Sequence, residues 1–379
     1  MLSALVLFAR LPPRPLVVLL GPTASMDYRS FIAPETLFYA LPEPLPLEGG
    51  DRLEGVQVAY RTWGTLNGAG DNGVLICHAF TGSADADWWW SPLLGPGRSL
   101  DPERDFIICS NILGSCYGTT GPTSINPATG LPYGPDFPAI TIRDMVRLQA
   151  MLLDGLGVRR LRLVIGGSLG GMQVLEWAAM FPDRVGAIAP MAISGRHSAW
   201  CIGWSEAQRL AIYADPLWQG GRYDPDQQPV AGLAAARAIA MCTYRTWDSF
   251  EERFGRKLQP HRATDEFAMA SYLRYQGDKL IQRFDANTYV ALSLAMDRHD
   301  LARPDRDYGT VLGAIAQPAL VVSIPSDVLY PPQEQAELAR LLPGATLVEL
   351  PSIHGHDAFL IELEALNDAV AAFRDRVGL

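Results

Sequence analysis

The sequence predicts an α/β fold in which a mostly parallel sheet is flanked by helices and interrupted by an inserted helical cap. The first observation is a series of short apolar runs that end in loop residues, which is typical of parallel strands buried on both faces. These runs lie at 74–78, 105–109, 161–165, 187–193, 319–324 and 345–350. The second observation is that helical patterns at 142–156 and 170–181 separate successive runs, as in a parallel sheet. A strand that alternates apolar and polar residues is predicted ahead of them, at 53–63.

The third observation is a change of pattern between about residues 197 and 312, where helical periodicity recurs without a strand-like run. The helical patterns lie at 205–213, 230–243, 266–284 and 287–296. Strand-like sequence then resumes, so we expect one α/β core interrupted by a cap and not two domains in tandem. The predicted division is an N-terminal extension at 1–26, a core formed by 27–196 and 316–379, and a cap at 197–315.

The N-terminal stretch 1–26 is apolar but does not have the pattern of a membrane span or a secretory signal. Its apolar run, 1–20, is interrupted by Arg10, Arg14, Pro12, Pro13 and Pro15, and the charges lie in its middle instead of before it. We expect either a disordered extension or a translation start at Met26. No later segment has the pattern of a transmembrane helix, so no membrane association is expected.

The composition excludes several classes of protein. With 379 residues, 48% of them hydrophobic and 19% charged, the chain can bury a large core and is not a disordered protein. A net charge of −10 disfavours nucleic acid as a partner. Five scattered cysteines without a C-x-x-C pair predict no disulfide framework and no metal site, and they favour a reducing compartment such as the cytoplasm.

The motif with the most specific chemistry is Gly166-Gly-Ser-Leu-Gly170, which follows the run at 161–165 and precedes a helical pattern. A strand, a G-x-S-x-G turn and a helix together form a nucleophile elbow. The glycines permit a tight turn that exposes the hydroxyl of Ser168, and the helix N-terminus stabilises a developing oxyanion. Ser168 is therefore the predicted nucleophile. A rival, Cys116 in Gly114-Ser-Cys-Tyr-Gly118, has no helix behind it and is expected to be a loop residue or part of the pocket wall.

A serine nucleophile needs a base and an acid, which in an α/β-hydrolase follow it in the order serine, acid, histidine. The base should lie after the last strand, where both His354 and His356 occur, and their position alone does not separate them. The acid should end the preceding strand, which points to Asp327; the alternatives Asp297, Asp300 and Asp305 lie in the cap or the return loop.

The oxyanion hole is predicted from two backbone N–H groups. Leu169 follows the nucleophile, and Phe80 lies in His78-Ala-Phe-Thr-Gly82, the loop after the run at 74–78. His78 itself is expected to be satisfied by backbone groups and to take no part in the reaction.

Across residues 28–379 the chain resembles the homoserine O-acetyltransferases of the α/β-hydrolase superfamily. The matching motifs, in chain order, are Gly95-Pro-Gly97, Asn111-Ile-Leu-Gly114, Gly118-Thr-Thr-Gly-Pro122, Phe137 to Asp144, Gly166 to Gln173, Glu206-Ala-Gln-Arg209, Ser271 to Gln276, Arg283 to Tyr289, Asp327 to Pro332 and Gly355-His-Asp-Ala-Phe-Leu360. The resemblance implies that His356 is the base, with Ser168 and Asp327 as the other members of the triad. It also implies that Arg209 binds the acceptor's carboxylate and Asp357 its amino group.

The resemblance further implies a double displacement in methionine biosynthesis, in which acetyl-CoA acylates the serine and L-homoserine takes up the acetyl group. Acetyl-CoA would be a co-substrate, no cofactor would be bound, and the enzyme would be a homodimer joined through cap helices. Relatives that use succinyl-CoA tend to carry arginine two residues after the triad aspartate; Leu329 stands there, which favours acetyl. Departures at Phe80, Ser115-Cys-Tyr117 and Trp204-Ser205 leave serine open as the acceptor, and a carboxylesterase is a further alternative.

Overall fold

The computed structural model describes residues 31–260, 265–303 and 305–379, so the extension predicted at 1–26 lies outside the described residues. In this part of the chain the strands are β1 (Leu37–Ala40), β2 (Leu45–Pro46), β3 (Arg52–Leu53), β4 (Gln57–Trp63), β5 (Gly73–Cys77), β6 (Phe106–Ser110), β7 (Leu161–Gly167), β8 (Val185–Met191), β9 (Leu258–Gln259), β10 (Glu266–Phe267), β11 (Ala319–Ser323) and β12 (Ala345–Glu349).

Eight of these strands form one sheet in the order β1-β4-β6-β5-β7-β8-β11-β12. The pairs β1–β4 and β4–β6 are antiparallel, and the pairs from β6 through β12 are parallel. The prediction of a mostly parallel sheet is therefore confirmed. Because parallel strands end at the same edge of a sheet, the loops after β5, β7 and β11 leave the sheet at one edge, with β8 between β7 and β11. These loops carry Phe80, Ser168 and Asp327.

The helices of the described residues are α1 (Ala86–Trp89), α2 (Ile142–Gly155), α3 (Leu169–Met180), α4 (Ala199–Tyr213), α5 (Val230–Tyr244), α6 (Trp247–Arg253), α7 (Ala268–Ile281), α8 (Ala286–Asp297), α9 (Tyr308–Gly313), α10 (Pro332–Leu341) and α11 (Leu363–Arg376). Both faces of the sheet are covered. Leu75 of β5 belongs to the same buried cluster as Met172 of α3, whereas its neighbour Ile76 belongs to the cluster of Phe373 on α11. Burying each such side chain contributes about 1.5–3 kcal/mol.

Local capping explains where several helices begin. α2 starts at a capping box: the Thr141 side chain accepts from the backbone N–H of Asp144, whose carboxylate accepts in return from Thr141. α6, which was not predicted, starts at a simple N-cap, since the Thr246 side chain accepts from the N–H of Ser249. The short helix α9 was also not predicted.

Three predicted elements differ from the structure. The strand expected at 53–63 is divided into β3 and β4, because Gly55 takes a left-handed conformation with φ of 62° between them. The insertion was expected to lack strands, yet β9 and β10 form an antiparallel pair that is too short to leave a periodic pattern. The helix expected over 266–284 therefore begins only after β10, as α7. The last helix, for which the sequence pattern predicts residues 358–370, begins later as α11, and a 3₁₀ turn, Gly355–Leu360, precedes it.

In the insertion between β8 and β11, α5 packs against α4 and α7, and it also contacts the 3₁₀ turn Gly355–Leu360. A helix of this insertion thus lies directly on the segment that carries His356. Among the described residues, no helix combines the length and the apolarity needed to cross a membrane.

Candidate active site

Ser168 lies at a sharp turn between β7 and α3. Its backbone has φ of 56° and ψ of −128°, a strained conformation for a residue with a side chain, and it is held by a hydrogen bond from its N–H to the Met191 carbonyl at 3.0 Å. The flanking glycines are required, because a Cβ on Gly166 or Gly170 would lie 2.5 Å or 2.1 Å from the Cys77 carbonyl oxygen. The motif therefore has the geometry of a nucleophile elbow.

His356 and Asp327 form a buried pair. His356 Nδ1 lies 2.8 Å from Asp327 Oδ2, and each residue is 3% exposed. The other carboxylate oxygen, Asp327 Oδ1, accepts from the backbone N–H groups of Leu329 at 2.8 Å and Tyr330 at 2.9 Å. The carboxylate is thus fixed on both sides, and it holds a proton on Nδ1 of the imidazole. Nε2 of His356 has no hydrogen-bond partner in the described part of the chain, so it can accept a proton.

The environment of His356 determines its basicity. Burial lowers the pKa of the imidazole, but the charge of Asp327 and its hydrogen bond act in the opposite direction, and the net effect raises the pKa above 6.5. Aromatic rings restrict the imidazole on several sides: the centroids of Tyr244, Tyr330 and Phe359 lie 5.7, 5.4 and 5.8 Å from that of His356. The base is therefore held rigidly.

The structure distinguishes the two candidate histidines. His354 Nδ1 lies 3.0 Å from Ser249 Oγ, on α6, whereas His356 is hydrogen-bonded to the carboxylate of Asp327. Of the alternative acids, Asp297 pairs with Arg209 and Asp300 accepts from the N–H of Ala302.

The segment after His356 lies directly on the elbow. A Cβ on Gly167, which precedes Ser168, would be 2.6 Å from the ring of Phe359. Phe359 in turn has its ring against that of His356. The segment that carries the predicted base therefore packs against the turn that carries the predicted nucleophile.

The two predicted oxyanion donors are available. Neither the N–H of Phe80 nor that of Leu169 donates a hydrogen bond within the described residues. The peptide before Phe80 is fixed, since the Ala79 carbonyl accepts from His78 Nδ1 at 2.8 Å and from the N–H of Gly82 at 2.8 Å. His78 accepts from the N–H of Ile112 at 3.2 Å through Nε2, and burial lowers its pKa to about 4, so the ring is neutral. These contacts give His78 the backbone-satisfied position expected of it.

Cys116 is buried, and its Sγ lies 3.8 Å from the Arg283 carbonyl oxygen. Burial raises the pKa of the thiol to about 12, so a thiolate is not available near neutral pH. These surroundings do not suit a nucleophile.

Arg209 is already paired with acidic side chains. Its Nη2 lies 2.7 Å from Glu206 Oε2 and 2.6 Å from Asp297 Oδ2, and its Nη1 donates to Ser293 Oγ at 3.1 Å. Asp357, the other predicted binding residue, lies 3.1 Å from Nε of Arg245. Both predicted binding residues are therefore engaged within the protein when no ligand is present.

The sequence analysis missed Arg237 on α5. Its guanidinium carbon lies 5.4 Å from the ring centroid of Tyr244, which itself faces His356. In the described residues Arg237 has no salt bridge, so it is a partly buried cation packed on Tyr244 without a neutralising carboxylate. A signal was present, because Arg237 interrupts an apolar helical stretch that begins Leu233-Ala-Ala-Ala.

Comparisons with known proteins identify the fold and the family of the chain. The alpha/beta hydrolase fold family matches residues 72–363. The homoserine O-acetyltransferase of Nostoc punctiforme is 66% identical over 351 residues, which cover 91% of this chain and 98% of that protein.

Two solved structures have the same fold over most of the chain. The homoserine O-acetyltransferase from Bacillus anthracis has a TM-score of 0.83 at 28% identity, over 89% of this chain and 96% of the other. Esterase E22 has a TM-score of 0.82 at 29% identity, over 89% of this chain and 99% of the other. The chain has the α/β hydrolase fold and belongs to the homoserine O-acetyltransferase family.

Proposed function

We propose that this protein transfers the acetyl group of acetyl-CoA to the hydroxyl of L-homoserine, through an acetylated Ser168, as a step of methionine biosynthesis. The observation that carries the proposal is the fixed Asp327–His356 pair beside a strained serine, in a chain 66% identical to a protein named homoserine O-acetyltransferase. Acetyl-CoA is a co-substrate in this scheme, and no bound cofactor is needed.

In the first half-reaction, Ser168 Oγ attacks the thioester carbonyl while His356 Nε2 takes the hydroxyl proton. The N–H groups of Phe80 and Leu169 donate to the oxyanion of the tetrahedral intermediate. The carbon–sulfur bond then breaks, and the proton on His356 leaves with the CoA thiol. Asp327 stabilises the imidazolium that forms between these events.

In the second half-reaction, homoserine takes the place of CoA. His356 takes the proton of its hydroxyl, that oxygen attacks the acetyl carbonyl, and the bond between the acetyl carbon and Ser168 Oγ breaks. The serine recovers its proton from His356. Water must be excluded for transfer to exceed hydrolysis, which is the role we propose for residues 197–315 as a cap over the core segments.

Arg209 and Arg237 are the two candidate partners for the acceptor's carboxylate. Arg209 would have to release Glu206 or Asp297 to bind a third carboxylate, whereas Arg237 has no acidic partner in the described residues and lies beside Tyr244. We therefore favour Arg237, and we propose that Asp357 binds the ammonium group in exchange for Arg245. Leu329 near the triad aspartate offers no partner for a succinyl carboxylate, which favours acetyl.

The proposed acceptor site has a direct test. Replacing Arg237 with Met should raise the KM for homoserine by about 10- to 100-fold, because a charge-assisted hydrogen-bond pair is lost, while CoA release from acetyl-CoA alone is unchanged. Replacing Arg209 with Met is the matched variant. If only the Arg209 variant raises the KM for homoserine, the carboxylate partner is Arg209 and not Arg237.

The reaction class is tested by following free thiol from acetyl-CoA without acceptor, with homoserine and with serine. Fast multiple-turnover release that requires homoserine, beyond the single CoA released by acylation, supports the proposal. A faster turnover with serine would make the protein a serine O-acetyltransferase, and multiple-turnover release independent of any acceptor would make it a hydrolase, the class to which the name esterase E22 refers.

We also propose a homodimer joined through cap helices and a cytoplasmic location. The support for the first is the exposed apolar side chains of α4, among them Trp200 and Leu210, which are 51% and 56% exposed. The support for the second is that all five cysteines are free thiols. Size-exclusion chromatography with light scattering tests the dimer, which a monomeric mass would contradict.

A further inference from the structure

Three side chains of the insertion contact the core loop that carries Phe80, a predicted oxyanion donor. Arg283 lies in the turn between α7 and α8, and its Nη1 donates to the carbonyl of Thr81 at 2.8 Å. The ring centroids of Phe284 and Tyr289 lie 6.4 and 4.6 Å from that of Phe80. The reaction scheme above uses none of these three side chains.

The segment 78–82, which we call the oxyanion loop, is fixed on both sides of Phe80. On the N-terminal side, the Ala79 carbonyl closes a turn by accepting a backbone N–H at 2.8 Å. On the C-terminal side, the Thr81 carbonyl accepts from Arg283. Without the Arg283 contact the loop would be tied on one side only, and the peptide that carries the Phe80 N–H could rotate. An oxyanion donor is effective only while its direction is fixed in advance of the reaction.

The guanidinium of Arg283 is itself held in place. The Nη1 atom that donates to Thr81 also donates to the hydroxyl of Tyr117, a residue that is 3% exposed. The Arg283 carbonyl oxygen lies 3.8 Å from Cys116 Sγ, and the ring centroid of Phe284 lies 5.8 Å from that of Tyr117. The turn between α7 and α8 is therefore docked on two core segments at once, the oxyanion loop and the loop that carries Tyr117.

An arginine has two properties that suit this position. Its acceptors are a carbonyl and a phenol, and within the described residues it forms no salt bridge with a carboxylate. Its positive charge therefore lies against the loop at which the negative charge of the oxyanion develops. A guanidinium also stays protonated at every pH at which the enzyme can be assayed, so the contact does not depend on pH.

We propose that Arg283 is a positioning residue, through which the insertion holds the oxyanion loop in the orientation that the N–H of Phe80 needs to bind the oxyanion. The inference rests on the proposed acetyl transfer through Ser168, and it gives the insertion a part in acylation besides the exclusion of water. It predicts that a change at Arg283 slows a step in which homoserine takes no part.

The test measures acylation in the full-length enzyme, by the burst of CoA after rapid mixing with acetyl-CoA alone. Arg283→Met removes the donor and the charge. The limiting rate constant of acylation should fall about 10- to 100-fold, because the effect is that of a misplaced donor and not of a lost one. The acetyl-CoA concentration at half the limiting rate and the KM for homoserine should be unchanged.

The pH profile of acylation separates this role from damage to the triad. The contacts of His356 with Asp327 do not involve Arg283. The Arg283→Met enzyme should therefore show the wild-type pKa in its pH profile, with a lower rate at every pH.

Two further variants connect the effect to the contacts of Arg283. Arg283→Lys keeps a charged donor and should recover part of the rate. Tyr117→Phe removes one acceptor of the guanidinium and should slow acylation about 3- to 10-fold. Combined with Arg283→Met, it should have no further effect, since the contact is already absent. Tyr117→Phe is also the smaller perturbation if Arg283→Met does not fold.

Arg184→Met is the matched control. It removes a guanidinium that also donates to a backbone carbonyl, that of Val158 at 2.9 Å, but at the edge of the sheet where β7 and β8 begin. This variant should acylate like the wild type. Circular dichroism and thermal unfolding verify that each variant is folded.

The outcomes separate the inference from the proposed function. A wild-type enzyme without a CoA burst would overturn the proposed function itself. A wild-type burst that Arg283→Met or Tyr117→Phe leaves unchanged would overturn the inference alone. So would a raised acetyl-CoA requirement at an unchanged limiting rate, which would make Arg283 a substrate-binding residue, or a shifted pKa, which would place the defect in the triad.

Discussion

Replacing Asp327 with Asn is the sharpest perturbation of the proposed triad, because the structure determines how the new side chain must lie. Asp327 Oδ1 accepts two backbone N–H groups, those of Leu329 and Tyr330. An asparagine keeps its oxygen there, since turning its NH₂ toward them would leave two buried donors unsatisfied at about 1–3 kcal/mol each. The NH₂ group therefore faces His356 Nδ1, which is 2.8 Å from the present carboxylate oxygen.

A donor at that position reverses the tautomer of His356. Nδ1 must accept, the ring proton moves to Nε2, and Nε2 can no longer take the proton of Ser168. The loss should be about 10⁴-fold in the acylation rate, or about 5 kcal/mol of transition-state stabilisation, with the fold retained.

The assay is the burst of CoA after rapid mixing with acetyl-CoA, supported by thermal unfolding to show that the variant is folded. Asp300→Asn is a matched control, because Asp300 accepts from the N–H of Ala302 and is not paired with His356. A folded Asp327→Asn enzyme that acylates within about tenfold of the wild type would refute the assignment of Asp327.

Three further predictions concern the base, the elbow and the rival nucleophile. Asp327 raises the pKa of His356 above the ordinary value of 6.5, and protonated His356 cannot act as a base. The acylation rate should therefore fall as the pH falls through this raised pKa, and a flat pH profile across that range would contradict the prediction. Gly170→Ala should destabilise the protein by about 1–3 kcal/mol, as its Cβ would lie 2.1 Å from the Cys77 carbonyl oxygen, and differential scanning calorimetry would show it. The helical Gly203→Ala, which has open space around its Cβ, should be stabilised and serves as its control. Cys116→Ser should acylate like the wild type, whereas a loss comparable to that of Ser168→Ala would return Cys116 to consideration.

The parts of the fold that sequence could predict are those with a local signature. The runs that form β5, β7 and β11 are apolar because both faces of the sheet are covered. Glycines flank Ser168 because the Cys77 carbonyl oxygen leaves no room there for a Cβ atom. Two-residue strands such as β9 and β10 have no period to detect. Residues 358–360 were expected to begin the closing helix but belong to the 3₁₀ turn, because apolar spacing over so short a segment fits both.

The site was predictable where function requires a motif and unpredictable where partners are distant in sequence. Position alone left His354 and His356 equivalent, and the structure separates them by a carboxylate 29 residues away from His356. Glu206 could have been recognised as a partner of Arg209, since the two are three residues apart on one helix. Asp297 could not, because only the packing of α4 on α8 brings it to Arg209.

The central claim is an acetyl group carried by Ser168, and peptide mapping by mass spectrometry tests it most directly. The enzyme is mixed with isotopically labelled acetyl-CoA in the absence of acceptor, quenched in acid and digested. We predict one labelled acetyl group on the peptide that contains Ser168, which disappears when homoserine is added as labelled O-acetylhomoserine forms. Label on the peptide that contains Cys116, or product formation without any enzyme-bound acetyl group, would contradict the account.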